Sequence, residues 1–212
     1  MKRRVIELLL VSGILSPLLY VASDITMAFV YDGYSYLHQT ISELNAIGAP
    51  TRTLSIGLGL MENVLLILYG IGIWIAAARN RRLEVAAGAL VILGVFGCWA
   101  LPFASMQMRG RPQEGPHLLS GAIGALLVVT AIGFAAAAFG SAFRRYSAAT
   151  IAVMLIFATW AAMDAERIGA GAATPWVGAI ERVSFYSWHV WFMVLAIALL
   201  RGWGGRLARS SH

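Results

Sequence analysis

Six long apolar runs constrain this chain more than any other feature. A hydrocarbon core about 30 Å thick takes about 20 helical residues at 1.5 Å each. The runs extend from about Val5 to Val30, Thr53 to Ala78, Leu83 to Ser105, His117 to Gly140, Ala148 to Ala165 and Gly178 to Leu200. They are too long for barrel strands, and backbone polar groups in lipid must pair internally, so they read as helices. Only 12% of the 212 residues are charged, too few to coat a soluble globule of this size. The expected fold is all-α: a polytopic transmembrane bundle of six helices, forming one integral-membrane domain over residues 1–212.

The net charge of +6 raises a nucleic-acid reading, which the charge spacing excludes. A nucleic-acid face needs its cations gathered on one folded surface. Here they sit in short clusters between apolar runs. With the amino terminus inside, the inner segments hold Lys2, Arg3, Arg4, Arg79, Arg81, Arg82, Arg144, Arg145, Arg201, Arg206 and Arg209. The outer segments hold Arg52, Arg109, Arg111, Arg167 and Arg182. Eleven of the 16 basic residues therefore fall inside, which places both termini in the cytoplasm of an inner-membrane protein. The first apolar run continues past the length of a signal-peptide core and is read as a retained span. The single cysteine, Cys98, excludes a disulfide framework and any cysteine-based metal site.

One loop is long. Residues 31–52, between the first two spans, carry Thr40 and Glu43 at capping-box spacing, which predicts a short helix over about 40–46, ended by Gly48 and Pro50. Tyr31, Tyr34 and Tyr36 suit the headgroup zone.

Ionisable residues inside spans are expensive and mark functional hypotheses. Asp24 lies in the outer part of the first span, and Glu62 lies near mid-membrane on the second beside Asn63. His117 opens the fourth span, Asp164 ends the fifth, and Glu181, Arg182 and His189 lie on the sixth. On the fourth span His117, Gly121 and Gly124 share a face, and glycines at that spacing let a neighbouring helix approach, which turns His117 into the bundle.

Several chemistries compete for these residues. An outer-half pocket for a lipid headgroup would use Arg182 on a phosphate. An intramembrane hydrolase or transferase would use His117 or His189 as base with a carboxylate such as Asp24 or Asp164, with Ser42, Ser120, Ser184 and Ser187 as possible nucleophiles and no GxSxG to choose among them. A zinc site of His117 and His189 with Asp24 or Asp164 lacks any HxxxH or HExxH pair, so no metal is expected. The polar residues can also simply pair to hold the bundle. No P-loop, dinucleotide fingerprint or CxxCH occurs, and no cofactor is expected.

The loop HQTISELNAIGAP, His117 at the head of the fourth span and the final-span entry GAIERVSFYSWHVWF resemble a bacterial membrane family catalogued as domain of unknown function 998. Family members read ISELGAPGAP where this chain has ISELNAIGAP, so it departs at Asn45 and Ile47. The resemblance covers nearly the whole chain and implies a six-helix inner-membrane bundle without supplying an activity. By match to its pattern, Ser42, Glu43, His117, Glu181 and Arg182 are the positions it marks. The loop is also similar, more distantly, to that of the damage-regulated autophagy modulator group, whose members are linked to lipid handling. The expected function is binding of a lipid headgroup or other amphiphile in an outer-half pocket formed by Ser42, Glu43, His117, Glu181, Arg182 and His189. The partners would be membrane lipid and no nucleic acid. The alternatives are the hydrolase or transferase and a non-catalytic accessory subunit of a larger membrane complex.

Overall fold

The computed structural model describes residues 2–113 and 115–209, with side chains described over 3–113 and 115–202. Lys2, Arg206 and Arg209, which enter the charge pattern, have side chains outside that range. The chain is a multi-pass membrane protein: among the described residues, six helices are long and apolar enough to cross a bilayer. They are α1 (Lys2–Val30), α2 (Arg52–Ala76), α3 (Arg81–Phe103), α4 (Gly115–Ala136), α5 (Ser141–Ala162) and α7 (Val177–Arg209), with a short α6 (Ala165–Gly169) after α5. A 3-10 helix, Ile41–Asn45, lies in the first loop. No strand forms among the described residues beyond one bridge between Ile47 and Gln107.

Three spans differ from expectation, the last because α7 continues past Leu200 to Arg209. The fifth starts at Ser141, not Ala148, and ends at Ala162. Arg144 and Arg145 mark the wrong boundary because both are exposed on the helix surface, where long aliphatic stems carry the charge outward while the backbone stays helical. The fourth stops at Ala136, and residues 137–140 turn into α5. Pro17 and Pro102 both lie inside helices that continue through them.

The spans pack as a ring in the order α4, α3, α2, α1, α7, α5, closed by a slighter contact between α5 and α4. At the end that holds both termini the interior is apolar: Leu10, Leu66, Tyr69, Ile73, Leu90, Ile132, Trp191, Phe192 and Leu195 are all buried there. The polar atoms of its large rings are satisfied, with Tyr69 Oη donating to Phe192 O at 3.1 Å and Trp191 Nε1 donating to Ser147 Oγ at 2.8 Å. Lipid tails are as apolar as leucine, so close packing rather than water exclusion holds such helices together. Gly72 shows this: a Cβ there would lie 3.0 Å from the backbone of Leu9 on α1. Gly121 behaves otherwise. It has open space around it, and Gly124 meets only a Leu93 methyl at 4.0 Å. The expected close approach on that face of α4 does not occur, because α4 is buried only from Val128 onward.

An odd number of crossings brings residues 31–51, 104–113 and 163–176 to the opposite end, where they knit into a cap. Ile47 N donates to Met106 O at 2.9 Å, Gly110 N to Ile168 O at 3.0 Å, and Gly178 N to Leu37 O at 3.0 Å. The cap also ties down the frayed end of α3. Arg52 Nη2 donates to Pro102 O at 2.9 Å and Asn45 Nδ2 to Leu101 O at 3.0 Å, satisfying carbonyls at the negative end of that helix.

Candidate functional site

The capped end contains two polar layers at different depths. The upper one is built on Arg182, one turn into α7. Its guanidinium forks onto Asp24 of α1, with Nε to Oδ2 at 2.9 Å and Nη2 to Oδ1 at 2.8 Å. Nη1 donates to the carbonyls of Tyr36 at 2.6 Å, Gln39 at 3.2 Å and Gly178 at 3.1 Å. Nη2 also donates to Tyr34 Oη at 2.8 Å. The ring of Tyr36 lies under the guanidinium carbon at 3.5 Å, a cation–π contact. Asp24 and Arg182 are 1% and 3% exposed.

The first loop supplies this geometry. Gly178 lets the loop backbone touch α7, since a Cβ there would collide with the carbonyl oxygens of Gln39 and Tyr36. The phenols of Tyr34 and Tyr36 are held protonated chiefly by burial, which pushes both above the ordinary tyrosine value. They therefore serve as donors, Tyr34 to Thr40 O at 2.8 Å and Tyr36 to Asp24 Oδ2 at 3.0 Å. Tyr186 Oη donates to the same carboxylate oxygen. Both loop tyrosines are thus partners of the ion pair.

Glu181 and Glu43 extend this layer. Glu181 accepts from Ile41 N and from Ser42 Oγ at 3.1 Å. Thr40 and Glu43 form the expected capping box, closing a 3-10 helix rather than an α-turn. The same Glu43 carboxylate takes Arg109 from the loop between α3 and α4, Nε and Nη2 each at 2.9 Å. Ser42, Glu43, Glu181 and Arg182 are therefore brought together. His117 is not: it is half-buried, its Nδ1 lies 3.1 Å from Ala104 O, and no described hydrogen bond joins it to Arg182, Glu181 or His189. Asp164 is not either; it sits beside α6 with Oδ1 3.4 Å from Arg167 Nη1, a pair whose arginine is mostly exposed.

The lower layer is smaller. His189 of α7 lies about 18 Å along the helix from Val177, and Glu62 about 15 Å along α2, both near mid-membrane. His189 Nε2 faces Glu62 Oε1 at 3.6 Å. Ser16 Oγ donates to the same Oε1 at 3.2 Å. The imidazole is held between the rings of Tyr20 and Trp188, at centroid distances of 3.9 and 3.7 Å. It is 1% exposed, yet Nε2 has no hydrogen-bond partner. Among the described residues two other buried side-chain atoms share that condition, Ser23 Oγ and Asn45 Oδ1, and neither belongs to an ionisable group.

Its protonation follows from its neighbours. Nδ1 lies 2.8 Å from Phe185 O, and a carbonyl only accepts, so Nδ1 carries a hydrogen. In the neutral ring Nε2 is then a bare acceptor, facing a carboxylate oxygen. That arrangement holds only if the pair shares a proton or a donor stands between them. Glu62, Ser16 and Tyr20 lie outside the pocket expected from sequence. Glu62 carried a signal, a carboxylate at mid-span; Ser16 and Tyr20 carried none, because their role depends on how α1 meets α7.

No group of three or more histidine, cysteine, aspartate or glutamate side chains able to hold a metal occurs among the described residues. Residues 14–198 match the family described as protein of unknown function (DUF998). No curated protein and no solved structure matches the chain.

Proposed function

The chain belongs to the DUF998 family, and from that premise we propose that it binds the polar head of a lipid or other amphiphile in its capped half, on the Glu62–His189 pair. The observation that carries this reading is the buried imidazole Nε2 left without a partner at 3.6 Å from a carboxylate. A buried polar atom in that state costs about 1–3 kcal/mol, which a ligand donor recovers. Around it, Tyr20, Phe185, Tyr186 and Trp188 are only partly buried, so the pair has aromatic walls that other helices do not fully cover. Arg182 is not the ligand contact: all of its donors are already committed.

The layer below the pair is the closed apolar core, so in this reading the ligand belongs to the capped half. With both termini in the cytoplasm, as the charge split indicates, the ligand comes from the outer leaflet of a bacterial inner membrane. In a Cys98→Ala background, cysteines at Asp32 and Arg111 then react with an impermeant thiol reagent on intact cells, and those at Asn80 and Ser141 do not; the reverse pattern rejects the orientation.

Binding itself is tested by native mass spectrometry of protein released from lipid nanodiscs. Wild type retains bound lipid, and Glu62→Gln and His189→Phe lose it while remaining folded. Equal retention in all three rejects the site. A histidine–carboxylate pair also supports a second reading, a hydrolase in which His189 activates water. Ser16 is no nucleophile for it, since its hydroxyl donates to Glu62 and not to the ring. An accessory subunit would instead co-purify with a stable partner.

A further inference from the structure

The chemistry of the lower layer selects the kind of head it can take. Glu62 presents a carboxylate and the neutral His189 ring, with its Nδ1 hydrogen on Phe185 O, a bare Nε2; the rings of Tyr20 and Trp188 stack on the imidazole and leave their edges and outer faces around the pair. All of these attract a positive charge or a hydrogen-bond donor, and none attracts an anion. The cations that could have served an anion are committed elsewhere. Among the described residues of this end, the arginines that are buried or half-buried are Arg52, Arg109 and Arg182. Arg52 donates to the carbonyls of Asn45 and Pro102. Arg109 is forked onto Glu43 and donates to Ala172 O. Arg182 is forked onto Asp24. A phosphate or carboxylate entering here would meet Glu62 with nothing to offset it.

We infer that the Glu62–His189 pair binds the protonated primary amine of an amphiphile, held between Glu62 Oε1 and His189 Nε2 and walled by Tyr20 and Trp188. An ammonium has three donors. One directed at Oε1 and one at Nε2 satisfy both acceptors at once, and the positive charge neutralises the carboxylate at mid-membrane depth, where an isolated charge is expensive. The same group removes the conflict of two acceptors facing each other at 3.6 Å. This inference rests on the amphiphile-binding reading above and narrows it to one head chemistry.

The amine could belong to a membrane lipid or to a free long-chain amine, and two measurements separate these. In the first, full-length protein in a neutral maltoside detergent is titrated with radiolabelled hexadecylamine, with hexadecyltrimethylammonium, hexadecanol and hexadecyl phosphate as competitors. The expected result is saturable amine binding, weaker competition by the quaternary ammonium, which has no N–H to donate, and none by the phosphate. Glu62→Gln weakens the amine by about tenfold or more. In the second, protein is released from nanodiscs of equal phosphatidylethanolamine and phosphatidylglycerol. Enrichment of the ethanolamine lipid identifies a headgroup as the source; binding of hexadecylamine without that enrichment identifies a free amine. Preference for hexadecyl phosphate or phosphatidylglycerol, or amine binding unchanged in Glu62→Gln, overturns the inference. The wild-type competition decides it even if the variant does not fold. If lipid is retained but not through its amine, the head chemistry fails and the binding site stands. If nothing is retained, both fail.

Discussion

The two polar layers of the capped half use similar residues to opposite ends. In the upper layer Arg182 and Asp24 are only 3% and 1% exposed, and every donor of the guanidinium has an acceptor drawn from α1, α7 and the first loop. In the lower layer His189 is equally buried, but its Nε2 makes no hydrogen bond and faces only the Glu62 carboxylate at 3.6 Å. A satisfied buried charge pair fixes one arrangement of the elements that contribute to it. An unsatisfied one stores a free-energy deficit that a ligand can relieve. Ionisable residues inside a membrane span are therefore not equivalent signs of function: the saturated pair holds the fold, and the deficient pair is where something binds.

The largest test of this contrast is to leave Arg182 without its partner. Asp24→Asn removes the charge that neutralises a guanidinium buried between α1 and α7, and breaking such a pair costs about 3–5 kcal/mol. The expected outcome is a collapse in the yield of folded protein on size-exclusion chromatography. A normal yield would mean that the upper layer is dispensable. Next in size is Glu43→Gln, which strips the charge from a carboxylate that receives both Arg109 donors and the capping-box bonds of the first loop. A loss of about 1–3 kcal/mol is expected in thermal unfolding, with the loop opening first in hydrogen exchange. Uniform exchange across the chain would sever the loop from the network. The smallest effect belongs to Asp164→Ala. Its partner Arg167 is mostly exposed, so unfolding is expected to stay within about 1 kcal/mol of wild type, with lipid retention unchanged.

Much of the fold was legible because membrane spans announce themselves by length. All six spans lie where the apolar runs lie, and their ends differ most where arginines snorkel at Arg144 and Arg145, where α4 turns early and where α7 continues to Arg209. The site was legible in part. Glu181 and Arg182 stand at adjacent positions of one helix, and Thr40 with Glu43 has a local signature, so their involvement could be read from the chain. Their partners could not. Arg109 reaches Glu43, and Tyr36 reaches Asp24, through loop folds that have no period to read. Arg182 in a span looks like a ligand contact until Asp24 is seen opposite it, and a sequence does not show which charges face each other. His117 misled for a related reason: the glycines on its face carry no neighbour at close range, so its place at the head of α4 leaves it against Ala104 rather than inside the ring.

The contrast between the layers is tested most directly by measuring unfolding temperature and bound lipid on the same preparations of two variants, Arg182→Lys and Glu62→Gln. Lysine cannot reproduce the fork onto Asp24 or the donors to the loop carbonyls. Glutamine keeps the size of Glu62 and an acceptor for Ser16. The account predicts that Arg182→Lys lowers the unfolding temperature sharply, and that Glu62→Gln loses the bound lipid while unfolding near the wild-type temperature. An Arg182→Lys protein of normal stability that has lost its lipid, beside a destabilised Glu62→Gln protein that keeps it, would contradict the account and exchange the roles of the two layers.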